Sequence, residues 1–128
     1  MRKDRERGAA LVEFAFVMTL LCPLIVVIIA WGVRFHNAAQ ADNAAFIAAR
    51  YYAVKCSTDS SATANAKAAG AAATTLVSTA DITITGTCTS GNTITATVSK
   101  AKAWSPAVPF FGMSGNYQLV GKGAARCE

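Results

Sequence analysis

The chain reads as an α+β protein: a long N-terminal transmembrane helix that continues beyond the membrane, a second helix, and a small antiparallel sheet of about three strands. Three observations predict this. The run Ala9–Val33 carries one charged residue, Glu13; as a helix at 1.5 Å per residue it spans ~37 Å, enough to cross a ~30 Å hydrocarbon layer with tilt. Helical patterning then continues through two alanine-rich stretches, and after residue 81 it gives way to strict alternation of aliphatic and threonine residues, the period of a strand with one buried face.

Taken in order, residues 1–8 form a basic leader, with Arg2, Lys3, Arg5 and Arg7 against Asp4 and Glu6. The Lys/Arg bias places this end in the cytoplasm and the C-terminal part across the membrane, so the expected location is the bacterial inner membrane, crossed once. The apolar segment 9–33 is too long for the ~7–15-residue core of a cleaved secretory signal. Ala39-Gln40-Ala41 before Asp42 has the form of a signal-peptidase site, but it lies well past the apolar run in a chain rich in alanine. Pro23 falls mid-segment, where it removes a backbone hydrogen bond and predicts a kink or local melting. Residues 34–54 extend the same helix out of the membrane, and their small side chains suit close packing against the chain's own head or another subunit's helix.

Residues 55–128 remain for a small α+β head. Cys56–Ser61 is a turn cluster before a helix over 62–78, weakened by Gly70, Thr74 and Thr75. Ile82 and Ile84, then Ile94, Ala96 and Val98 beyond the Ser90-Gly91-Asn92 turn, predict a hairpin with its aliphatic face on the helices. Trp104–Gly115, with two prolines, two glycines, Phe110, Phe111 and Met113, reads as an irregular loop; packing into the head is the favoured expectation, and an exposed loop of this kind would instead be an adhesive or partner-binding surface. Tyr117–Ala125 reads as a third strand. Of four cysteines, Cys22 lies in the membrane run; Cys56, Cys88 and Cys127 fall in the translocated, oxidising compartment. One disulfide and one leftover thiol are expected; all three pairings are open, and Cys56 with Cys88 is favoured because it would tie the long helix to the sheet.

Several function classes are poorly served by these residues. The net charge of +5 falls to +3 without the leader, and the remaining basic residues are scattered, so nucleic acid is not an expected partner. His36 is the one histidine and has no carboxylate or cysteine at ligand spacing. Gly115 to Gly121-Lys122 misses the phosphate-loop pattern by one residue, with Gly123 where Ser or Thr is required. The expectation is a protein without enzymatic activity, cofactor, metal or small-molecule substrate.

The informative constellation is Gly8-Ala-Ala-Leu-Val-Glu13-Phe14, directly after the basic leader and at the start of the apolar helix. A carboxylate in a membrane helix costs ~2.5–3.5 kcal/mol at the bilayer centre, less near the interface, and calls for a partner. This motif resembles the processing site of type IV pilin-like precursors. The resemblance implies cleavage by a prepilin peptidase between Gly8 and Ala9, with Glu13 five positions beyond the cut and the aromatic Phe14 beside it. The freed Ala9 ammonium would then meet Glu13 of a neighbouring subunit and set register in a filament. The wider wording, Arg7 to Phe16 followed by an apolar run ending in Trp31-Gly32, is similar to TadE-like proteins of tight-adherence (Tad) pilus systems. That resemblance covers residues 1–52 and is suggestive at Arg126-Cys127-Glu128. It implies a pilin-like fold, a minor pilin or pseudopilin role in an adhesive Tad/Flp-type pilus, and as partners the membrane, the prepilin peptidase, other pilin-like subunits and the assembly platform. Two other readings stand beside it: a signal-anchored structural or adhesive envelope protein that keeps its leader, and a type II secretion pseudopilin.

Overall fold

The structure, a computed structural model, describes residues 2–127, with side chains from residue 8 onward. Its axis is one helix, α1 (Arg2–Lys55), followed by α2 (Ala62–Ala72), a 3-10 turn at Thr79–Asp81, strands β1 (Ile82–Thr85) and β2 (Thr93–Ala103), a second 3-10 turn at Pro109–Phe111, and strand β3 (Asn116–Arg126). The α+β class expected from the sequence is the one found. The strands form one antiparallel sheet in the order β1-β2-β3, with Ile82 opposite Val98 and Thr97 opposite Lys122.

Helix α1 runs without interruption through Pro23, so the local melting expected there is absent. Proline removes one donor from the ladder, whereas the flanking leucines, isoleucines and valines keep helical geometry once the segment is apolar on every side. Thr19, whose carbonyl loses its partner to Pro23, turns its own hydroxyl back onto the Ala15 carbonyl at 2.8 Å.

The core lies between the outer half of α1 and the sheet. Ala41, Ala44, Ala45, Ala48 and Ala49 form one face of α1 and pack against Ile82, Ala96, Val98 and Leu119. The alternation of the hairpin is realised: Ile82, Ile94, Ala96 and Val98 are buried, while Thr83, Thr85 and Thr93 are exposed. On β3 the inward positions are Leu119, Gly121 and Gly123. A Cβ on Gly121 would fall 2.5 Å from the Ala41 carbonyl oxygen, and one on Gly123 would overlap the backbone of Ala45 and Phe46. The helix therefore rests on bare strand backbone, which explains two glycines the sequence offered only as a failed phosphate loop.

Helix α2 ends at Ala72, six residues before the expected stop, because Thr74 and its neighbours make turn contacts instead. The Thr74 hydroxyl donates to Gln40 on α1 at 2.7 Å and accepts from the Leu76 amide. Gly70 does more than weaken α2: a Cβ there would sit 2.8 Å from the Ala44 carbonyl, so glycine permits the helices to cross. The chain then enters β1 through a tight junction in which Asp81 accepts from the Ser78 amide and hydroxyl, both at 2.8 Å, and pairs with Lys100 at 3.1 Å. A disulfide joins Cys56, just past the end of α1, to Cys88 after β1, with Cα atoms 5.9 Å apart.

Candidate processing and assembly site

Gly8, Ala9, Glu13 and Phe14 lie on the exposed inner half of α1. Ala9 and Glu13 are four residues apart, so the two groups named by the processing motif share one helix face. Around them Leu11, Val12, Phe14 and Phe16 are 63–75% exposed. In its most apolar stretch the helix reaches a mean hydropathy of 2.7, and 6% of that stretch is buried. By length and composition α1 is the one helix among the described residues able to cross a membrane, and its apolar surface suggests a single-pass anchor.

Gly8 has no packing reason within this fold. It lies inside α1, and a Cβ built on it meets nothing within 4 Å. Glycine in a helix costs roughly 0.5–1 kcal/mol relative to alanine, and here no close approach offsets that cost, in contrast to Gly70, Gly121 and Gly123. Gly32, at the end of the apolar run, is likewise open.

The outer half of α1 is held to the head by polar contacts at its edge. Asp42 accepts from the Lys122 amide at 2.9 Å; β3 is an edge strand, and this contact satisfies an amide that has no strand neighbour on that side. Buried Asn37 donates to the Tyr117 hydroxyl at 3.1 Å. His36 is exposed and shares a 2.6 Å hydrogen bond with Gln40. Of the two packing surfaces foreseen for residues 34–54, the alanine face is occupied by the chain's own head.

The sequence reading missed the group at the junction of anchor and head. The Arg34 guanidinium carbon lies 5.0 Å from the ring centre of Trp31, 5.3 Å from Trp104 and 5.4 Å from Tyr117, and the Trp104 ring meets Trp31 edge-on at 5.9 Å and Tyr117 at a tilt at 5.0 Å. A hint was available: one tryptophan closes the apolar run and the other opens the aromatic loop. That loop is not packed into the head as expected. Met113 is buried, but Phe110 is 91% exposed and Phe111 49%, because the loop descends beside the anchor instead of folding over the sheet.

Cys127, the thiol outside the disulfide, is buried in a small cluster with Ala53 and Ile94 beside Cys56. Cys22 is exposed on the apolar half of α1. Among the described residues no group of three His, Cys, Asp or Glu side chains is placed to hold a metal ion.

No curated protein and no solved structure matches the chain. The family comparison covers most of α1 and none of the strands: residues 8–50 match the family model described as TadE-like protein.

Proposed function

We propose that this protein is the precursor of a minor pilin or pseudopilin, cut by a prepilin peptidase between Gly8 and Ala9, that acts in assembly of a Tad-type adhesive pilus and catalyses nothing itself. The observation that carries the proposal is Gly8, a helix-weakening residue with open space around it, five residues before a carboxylate on an apolar membrane helix and inside a segment that matches TadE-like proteins. A requirement that the fold does not impose points to a partner that does. Gly8 and Ala9 are helical in the intact chain, so a peptidase must unwind the junction; glycine lowers that cost and leaves room in an extended-chain cleft.

Cleavage frees an ammonium at Ala9, at the N-terminus of the shortened helix. Glu13 then lies in the second turn of that helix, where the orphan amides of the terminus and the new cation both favour a carboxylate. In a packed filament the ammonium of one subunit and Glu13 of the next neutralise each other where solvation is poor. The head, fixed rigidly on the outer half of α1, would sit at the filament surface or at its base.

The test is intact mass and N-terminal sequencing of the protein recovered from membranes of its own host. A chain beginning at Ala9 is the expected result. A chain that retains Met1 would overturn the proposal in favour of an unprocessed anchor, and one beginning at Asp42 would mean a secreted head.

A further inference from the structure

We infer that the tip of the β2–β3 connection is a second membrane-inserted element, dipping among the acyl chains of the leaflet on the head's side of the bilayer. This rests on the reading of α1 as a membrane anchor, but not on its cleavage or on any pilus.

Four independent features point to lipid. The first is position: Phe110 and Phe111 line an open groove of about 450 Å³ with Phe16, Leu20, Pro23 and Val27 of α1. These helix positions precede Trp31 by 4 to 15 residues, or ~6–22 Å at the helical rise, so the tip lies alongside the segment that must sit in hydrocarbon. The second is the collar of Trp31, Trp104, Tyr117 and Arg34, with the composition that settles at a membrane–water interface; Trp104 is where the loop leaves β2 and Tyr117 where the chain re-enters β3, so the collar brackets the tip.

The third is composition: Trp104–Gly115 contains no charged residue and only two serines as polar side chains. The fourth is the backbone, much of which finds partners within the tip, as insertion into lipid favours. Val108 and Met113 exchange both amide–carbonyl bonds at 2.7 and 3.2 Å, the Phe111 and Gly112 amides donate to Val108 and Pro109, and the Trp104 amide donates to Gly115. Pro106 and Pro109 have no amide hydrogen to satisfy. Phe110, 91% exposed in the isolated chain, thereby gains an apolar environment without any protein partner.

The test is a nitroxide label at position 110 (Phe110→Cys in a Cys22→Ala, Cys127→Ala background) in the full chain reconstituted in phosphatidylethanolamine/phosphatidylglycerol vesicles, with relaxation by oxygen and by a water-soluble nickel chelate. Reference labels go on Leu24 of the anchor and on Ser90 in the β1–β2 turn. The expected result is an oxygen-to-nickel accessibility ratio at 110 close to that at Leu24 and several-fold above that at Ser90, with position 111 giving the same answer. High nickel accessibility at 110 with a lipid-like Leu24 would overturn the loop insertion alone. Low accessibility to both relaxants would assign the tip to a protein neighbour and equally overturn it. A water-exposed Leu24 would remove the membrane reading on which it stands.

Discussion

Glycine carries opposite meanings at two sites in this molecule, and substitution separates them. At Gly123 an added methyl would overlap the backbone of Phe46, and neither a strand nor a helix axis yields cheaply. Gly123→Ala is therefore expected to destabilise the head by about 1–3 kcal/mol, read as a lower thermal midpoint with processing unchanged. At Gly8 the space is open, so Gly8→Leu leaves the fold intact while the host's membranes accumulate uncleaved precursor; normal cleavage of Gly8→Leu would sink the processing site. Asp81 supplies a pH signature. Its carboxyl is held below its ordinary 3.8 first by the Ser78 amide, then by the Ser78 hydroxyl, with Lys100 adding to both. A folded value below the unfolded one means that the contribution is present above about pH 4 and is lost as pH falls through the lowered value. Asp81→Ala should cost about 0.5–1 kcal/mol at neutral pH, and the gap to the parent protein should close in thermal melts near pH 2.

Periodicity made the elements legible where one face of each is buried, and failed where a contact across the structure decides. The apolar run, the alanine repeat and the Ile/Thr alternation each imply a helix or strand because side-chain period and burial coincide. The end of α2 was not legible, since it depends on Thr74 reaching Gln40 on another helix. Nor was the role of Gly121 and Gly123, whose signal is only a gap in the inward-facing side chains of β3. The proposed processing motif lies in consecutive residues and asks for no contact across the fold, while the aromatic collar joins Trp31 to Trp104 across a sequence separation of 73 and left only the composition of its two ends. The Cys56–Cys88 bridge spans a sequence separation of 32 and encloses α2 and β1. Removing it by a paired Cys56→Ala, Cys88→Ala change should lower stability by about 2–4 kcal/mol, measured as a shift in the urea midpoint, with the loss concentrated in the amide-exchange protection of α2.

At the scale of the whole molecule, head and helix are not separable units. Among the described residues the sheet's buried face is covered by the alanines of α1 and the short α2, and without α1 most of that aliphatic face would return to water and its burial would be lost. Half of one continuous helix therefore serves as the core of the head while the other half serves as the anchor, and any tilt of the anchor is transmitted to the head through the same rod. Truncation tests this directly. A fragment of residues 30–128 retains Ala41, Ala44, Ala45, Ala48 and Ala49 with every contact they make to the sheet, and is expected to give a cooperative thermal transition and dispersed amide resonances. A fragment of residues 56–128 retains all three strands and the Cys56–Cys88 bridge, yet is expected to stay unfolded, because the faces of Ile82, Val98 and Leu119 lose their cover. Cooperative folding of the shorter fragment would make the head an independent domain carried on a passive stalk, and the anchor's orientation could then no longer dictate where the head points.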